Sequence, residues 1–291
     1  MLLIRLILIS FCCFNCAFAQ LQIASAYNKL TEDASFAPNF MQQKRVLQIT
    51  TTISKKKTLE AMIPLSKKYI YHFSRKGSMV KKEIVFTDNS DPKNTHYTYD
   101  DVGNLTSEQT NEYNSFFTNY YEYDHLGRIK VLSTYREVGV TTENGNVIIE
   151  SRNLVDKKNY SYQPVSNGTK KHYHNNYGRI YKYDLTTLSA DGLIQSIQTK
   201  FISVRNYGFK KIFYADKIPI RVELEEDGKV SEFRNVYDGK KRLQKQDVYI
   251  NDASVFTTEY IYNDDGLLTA QIRMDHSQDE MLIYQYNYKH Y

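Results

Sequence analysis

The stretch YYEYDHLGRI, from Tyr120 to Ile129, constrains this chain more than any other, because its spelling recurs. Two aromatics stand two apart, followed by Asp, two spacers, Gly, a basic residue and an apolar one. Aligned on the glycine, YHFSRKG ends at Gly77, YTYDDVG at Gly103 and YEYDHLG at Gly127. HYHNNYG ends at Gly178, VELEEDG at Gly228 and YIYNDDG at Gly266. Weakened copies are YKYD at Tyr181–Asp184, FYADKIPI at Phe213–Ile220 and VYDGKKRL at Val236–Leu243.

The physics of the unit is direct. Side chains two apart in a strand share a face, so Tyr97 and Tyr99, Tyr121 and Tyr123, Tyr181 and Tyr183, and Tyr260 and Tyr262 are paired rings. Asp100, Asp124, Asn175 and Asn263 can bond their own backbone two residues on and so open a turn. Gly103, Gly127, Gly178, Gly228 and Gly266 then supply a positive φ that other residues resist. The unit is strand, turn, strand. Gly77 to Gly103 is 26 residues, Gly103 to Gly127 is 24, Tyr237 to Tyr262 is 25 and Tyr262 to Tyr286 is 24. That interval suits two short strands and two turns. Stacked repeats of this kind predict an all-β antiparallel meander of seven to nine hairpins, curled or closed into a small barrel-like solenoid.

Tyr-x-Tyr-Asp-x-x-Gly-Arg-Ile resembles the YD repeat of bacterial Rhs proteins and the teneurins. The likeness is close at Tyr97–Leu105, Tyr121–Ile129 and Tyr260–Leu268, and looser across residues 69–291. It implies long antiparallel sheets that coil into shells, and says nothing of chemistry. Rhs shells are much longer and end in a toxin. This chain stops after YQYNYKHY, so the resemblance implies a small exported member without a toxin domain and without a closed shell of that type.

The first residues carry their own message. MLLIRLILISFCCFNCAFAQ has one basic residue, Arg5, a short apolar run and Ala17-Phe18-Ala19. This is the pattern of a signal peptide cleaved after Ala19, with a core too short to span a bilayer. Residues 1–19 are therefore expected to be a signal, 20–45 an N-terminal cap with a short helix near Ile23–Leu30, and 46–291 the repeat domain. Lys55–Thr58, Pro64 and Asn144-Gly145 read as turns. All three cysteines fall in the signal, so the exported chain has no thiol chemistry and no disulfide. The charge excess, 38 basic against 33 acidic residues, is spread along the chain rather than gathered on one face, which argues against a nucleic-acid partner.

Three kinds of residue could be taken for a site. His172 and His174 stand two apart like a pair of metal ligands, but no third ligand has the right spacing; the plainer reading makes them stand-ins for Tyr121 and Tyr123. Asp100, Asp124, Asp184 and Asp238 could be acid–base carboxylates, yet each stands at a turn start, where local bonding explains it. The tyrosine stripe, Tyr97, Tyr99, Tyr121, Tyr123, Tyr181, Tyr183, Tyr260 and Tyr262, could stack on a glycan or an envelope protein, or could be the core. No cofactor or metal is expected. At the C-terminus, Lys289, Asn287 and Gln285 fall in phase with Tyr291, which argues against a lipid-facing strand. The sequence reads as a non-catalytic exported binding or scaffold protein of the cell envelope or surface. The alternatives are a shell-like accessory of an Rhs-type toxin and a hydrolase with an unrecognised site.

Overall fold

A computed structural model describes residues 36–88, 90–112, 115–141, 147–203, 207–226 and 228–291. The signal, the helix expected near Ile23–Leu30 and the Asn144-Gly145 turn lie outside these. A six-residue helix, α1 (Pro38–Gln43), opens the described chain. Its first turn carries Pro38, whose fixed φ suits that position. The proline thus starts this helix.

Eighteen strands follow among the described residues. They are β1 (Val46–Lys57), β2 (Ile63–Phe73), β3 (Met79–Phe86), β4 (Lys93–Tyr99), β5 (Leu105–Glu112) and β6 (Ser115–Tyr123). Next come β7 (Ile129–Thr141), β8 (Val147–Val165), β9 (Gly168–His174), β10 (Ile180–Leu188), β11 (Ile194–Phe201) and β12 (Tyr207–Ala215). The last six are β13 (Ile218–Glu226), β14 (Lys229–Tyr237), β15 (Leu243–Ile250), β16 (Ala253–Tyr262), β17 (Leu268–Asp275) and β18 (Glu280–His290). Two turn expectations are corrected. β1 runs on through Lys57, and Pro64 lies inside β2 near its start, where a missing N–H is tolerated.

Each strand pairs antiparallel with the next, and β18 pairs back onto β1 through Ile49 with Tyr288, Thr51 with Tyr286 and Ile53 with Tyr284. The meander is therefore a closed 18-stranded barrel, not a curled sheet or small solenoid. The sequence shows the hairpins, but the closing β1–β18 contact joins segments some 230 residues apart, and no local pattern spells it. Closure leaves no edge strand exposed.

The two faces differ. Following the register round the ring, one face carries Ile49, Ile53, Tyr69, Tyr71, Ile212, Val222, Phe233, Val248, Tyr284 and Tyr286, all buried. Side chains converge on the concave side of a curved sheet, so this is the inner face. α1 packs on it, with the Phe36 ring edge-on to Tyr71 and Phe73 at 5.1 and 5.5 Å. Lys68, Glu83, His96, Glu122, Lys200, Arg221 and Glu259 stand on the opposite face. Polar and ionisable side chains thus recur on the outer face of seven strands, among exposed apolar ones such as Val236 and Ile261.

Hairpin connections alternate between the two rims. Six share one turn geometry at the rim where α1 lies. In one of them, Asp100 N–H donates to Asn104 O at 2.9 Å and Gly103 N–H to Asp100 O at 3.1 Å. The same pair of bonds recurs at Ser74, Asp124, Ser189, Asp238 and Asn263. The Ser189–Gly192 member was not in the sequence alignment, because no tyrosine pair precedes it. In the Asp238 turn Lys241 takes the left-handed place, at φ +61°. Gly228 is different: it stands at the other rim, where Glu226 pairs with Lys229.

Candidate functional site

The tyrosines build the wall. At seven places the second tyrosine position donates its phenolic O–H to a backbone carbonyl of the preceding strand. Tyr99 reaches Met79 O at 2.8 Å, Tyr123 reaches Leu105 O at 2.8 Å and Tyr162 reaches Ile129 O at 2.9 Å. Tyr214 reaches Ile194 O at 2.9 Å and Tyr237 reaches Pro219 O at 2.8 Å. Tyr262 reaches Leu243 O at 2.9 Å and Tyr288 reaches Leu268 O at 2.7 Å. Every acceptor lies two residues past a left-handed turn residue, and at every one the strand register shifts. The hydroxyl thus fills a carbonyl where the ladder is interrupted by a bulge. Burial pushes the Tyr99, Tyr160 and Tyr162 phenols up to about 12. Tyr121 is also raised, by burial and then by Glu108, to whose carboxylate it donates at 3.1 Å. Tyr97 and Tyr260 share this inner face with Tyr99 and Tyr262.

Tyr183 does not. Its register partners are His172 and Lys200, on the outer face, where it lies edge-on to His172 and under Lys170 Nζ at 4.0 Å from the ring centre. Tyr181 occupies the bulge between Ile180 and Lys182, edge-on to Tyr173. The cause is geometric. The Gly178 turn has the same bonds as the others, Asn175 N–H to Arg179 O and Gly178 N–H to Asn175 O at 2.9 Å, but it stands at the opposite rim. A hairpin of one handedness can keep the meander's direction there only by turning over. Its alternate positions therefore face outward, and His172 and His174 are not inner-face stand-ins for Tyr121 and Tyr123. His174 Nδ1 lies 3.0 Å from Gly178 O and Nε2 lies 2.8 Å from Ser161 Oγ, so a neutral ring donates at Nδ1 and accepts at Nε2. Both nitrogens are engaged, and among the described residues no three ligating side chains converge on a metal position.

The carboxylates also separate by location. Asp100 Oδ1 accepts from Val102 N at 3.1 Å and Asn104 N at 2.7 Å, and Asp238 Oδ1 accepts from Lys240 N and Arg242 N at 2.9 Å. Asp124 and Asn175 do the same in their turns. The Asn104 side-chain amide, at 2.9 Å, and then these backbone bonds hold the Asp100 carboxyl below the usual range, and the Arg242 backbone bond and side chain do the same for Asp238. Asp184 is an exception to the turn reading. It sits mid-strand on the inner face of β10 and accepts from Tyr173 Oη and from Thr199 Oγ1 at 2.7 Å.

Around Asp184 the inner wall of β8–β10 becomes polar and basic. Lys171 lies directly across from Asp184, and Lys182 across from Tyr173. Lys171 Nζ is 4.1 Å from the Tyr160 ring centre and 4.9 Å from that of Tyr173, while Lys182 Nζ is 4.4 Å from Tyr173. Burial lowers the Lys171 ammonium, and nearby Lys182 lowers it further against the pull of Asp184. Two strands on, buried Lys210 shares this face, and desolvation brings its pKa down to about 8. Ammonium groups over tyrosine faces, with hydroxyls and one carboxylate between them, form a wall that can both stack on rings and pair with acids. The sequence hid this arc because its residues come from strands that alternate with outer-face lysines such as Lys170 and Lys200.

Two polar clusters stand on the outer face. Glu137, fully buried, accepts from Thr118 Oγ1 at 2.5 Å, Gln109 Nε2 at 3.1 Å and Tyr120 Oη at 3.0 Å, and pairs with Arg152 Nε at 2.7 Å. Burial would raise this carboxyl, but the donors and Arg152 outweigh it and hold it low. Thr257 Oγ1 donates to Asp247 at 2.6 Å and lies 3.0 Å from His276 Nε2. A nucleophilic hydroxyl gives its proton to an imidazole that a carboxylate orients. Here the hydroxyl donates to the carboxylate itself, so this order does not activate Thr257.

Among solved structures, the chain is similar to a porin-like protein from Bacteroides uniformis ATCC 8492, at 9% identity and a TM-score of 0.37 over 89% of this chain and 100% of that one. It is similar to the TcdB2-TccC3-TEV structure at 10% identity and a TM-score of 0.28, covering 74% of this chain and 14% of that one. The LolA superfamily protein NE2245 from Nitrosomonas europaea shares 11% identity and a TM-score of 0.23 over 87% and 92% of the two chains. No protein-family model and no curated protein matches the chain.

Proposed function

We propose that this is a non-catalytic, exported binding protein of the cell envelope, built from YD-like hairpins, whose ligand meets the inner wall rather than an open tyrosine face. One observation carries the reading. The second-position tyrosines bond carbonyls of the wall, whereas Lys171 and Lys182 with Tyr160, Tyr173 and Asp184 form a desolvated basic and aromatic arc on the concave side. A barrel of eighteen strands is wider than its own side chains fill. The ligand class that fits the arc is an acidic glycan, whose rings stack on tyrosine and whose acid groups pair with lysine.

The test is binding of the exported protein to an array of acidic and neutral glycans, beside a Lys171→Gln/Lys182→Gln variant. Selective binding of acidic glycans that the variant loses supports the reading. Equal binding by both proteins, or no preference for acidic glycans, contradicts it.

A further inference from the structure

We infer that the rim opposite α1 is a docking surface for an anionic lipid bilayer, entered first by the tip of the β1–β2 hairpin. Residues Lys57–Pro64 are exposed without a break. Within them Leu59 is 101% exposed, and Met62 and Ile63 are more than half exposed. Leu59 also holds φ +64°, a left-handed conformation that a branched side chain adopts only at a free-energy cost. Neither the strain nor the exposure is offset by any contact of the Leu59 side chain in the fold. The turn bond from Glu60 N–H to Lys57 O at 3.1 Å holds the backbone in that conformation, and the exposure is accounted for if the side chain enters an apolar phase.

The surroundings specify which apolar phase. The stretch KKKTLEAMIPLSKK, Lys55–Lys68, carries five lysines against Glu60 alone. The acids of the adjoining β17–β18 turn are engaged locally, Asp279 by Thr58 Oγ1 at 2.7 Å and Glu280 by Lys55 Nζ. Lys56, Lys57 and Lys68 stand around the apolar tip. The alternation of the meander puts the β9–β10 and β11–β12 connections at this same rim. There Tyr177 is 89% and Ile202 59% exposed, next to Arg179 and Lys200 respectively. Asp88, Asp91, Glu112, Glu226 and Asp252 share the rim away from the β1–β2 tip, and exposed Val230 there is bonded to Asn251. The opposite rim is mixed at its tips, where Asp101, Asp191, Asp216, Asp264 and Asp265 stand among Arg75, Lys76, Lys217, Lys240 and Lys241.

Apolar tips flanked by bases on one rim match the flat, anionic, amphiphilic surface of a bilayer. Side chains insert below the headgroups while lysines meet lipid phosphates. Tyrosine suits the interface depth.

The experiment is flotation of the exported protein with phosphatidylcholine vesicles, with and without phosphatidylglycerol, at low and high salt. The expected result is binding to anionic vesicles that salt weakens. Leu59→Ser/Met62→Ser/Ile63→Ser should lose about tenfold or more of it, as buried methylenes are removed. Lys56→Gln/Lys57→Gln/Lys68→Gln should lose the preference for phosphatidylglycerol. Val102→Ser/Leu126→Ser, at the other rim, should bind as the native protein does. All substituted residues except half-buried Lys56 are exposed, so circular dichroism should be unchanged. Absence of flotation overturns the inference, as does equal flotation of the apolar-tip variant. Capture of a protein partner by the tip without vesicle binding would overturn it too. Each outcome is independent of whether the inner wall binds glycans.

Discussion

The phenolic oxygen of Tyr123 lies 2.8 Å from the carbonyl oxygen of Leu105, on the neighbouring strand, at the bulge that follows the Gly103 turn. The same bond at six other bulges makes the tyrosine of one repeat the fastener for the turn of the repeat before it. Tyr123→Phe keeps the ring and leaves a part-buried carbonyl unpaired. It should destabilise by about 1–2 kcal/mol, with Tyr262→Phe similar, read from urea midpoints at constant m. Tyr123→Ala should lose about 3 kcal/mol or more, because packing goes as well.

The turn glycines should not be equivalent. A methyl group at Gly77 would meet Pro38 O at 1.9 Å and Gln42 N at 2.7 Å, so α1 would have to move. At Gly103 it would meet nothing within 4 Å. Gly103→Ala should therefore show only the left-handed strain, about 1 kcal/mol. Gly77→Ala should exceed that and should increase proteolysis near Pro38. Equal effects would place α1 elsewhere. In the Asp238 turn, Lys241→Gly should be neutral or stabilising by up to about 1 kcal/mol.

Stability should fall in alkali. Unfolded tyrosines ionise near pH 10, whereas Tyr99, Tyr160 and Tyr162 are held up to about 12 in the fold. Between those values the unfolded chain has released protons that the barrel retains, so each rise in pH favours unfolding. The contribution is complete below about pH 10. The midpoint of urea unfolding should begin to fall near there, while a flat profile to pH 12 would contradict the burial of these phenols.

Lys210 should titrate far from an ordinary lysine. Its folded pKa of about 8 lies below the unfolded value, so its charge opposes folding below pH 8 and ceases to do so as pH rises above the unfolded pKa. The ε-methylene carbon shift, followed by NMR, should move near pH 8. A transition near 10.4, the value of a solvated lysine, would place the side chain in water.

The outer carboxylate is the most demanding polar group. Glu137→Ala would leave Thr118, Gln109, Tyr120 and Arg152 facing a void, and about 2–4 kcal/mol of destabilisation should follow. Because its folded pKa is depressed, the contribution is present above the unfolded value and fades as pH falls through the folded one. The Glu137→Ala difference should therefore shrink in acid.

Much of this architecture was legible because it is local. Asp124-x-x-Gly127 contains its own turn, and Tyr121-x-Tyr123 its own face. Three things were not legible. Whether β18 meets β1 is set by accumulated twist and strand number, which no window of residues records. The Gly178 unit has the right spelling at the wrong rim, and only strand counting shows that His172 and Tyr183 face outward. Lys171, Lys182 and Asp184 each alternate with outer-face neighbours, so their convergence appears only once β9 and β10 are paired in register.

Closure is the claim on which the rest depends, and a disulfide reads it directly. Thr52 lies opposite Gln285 across β1 and β18, and opposite Lys68 across β1 and β2. The three natural cysteines fall in residues 1–19, so protein expressed from residue 20 carries only those introduced. Thr52→Cys/Gln285→Cys should oxidise to a single intramolecular bond as readily as Thr52→Cys/Lys68→Cys. A Thr52→Cys/Gln285→Cys protein that keeps both thiols free, beside a control that oxidises, would mean the barrel is open at β1.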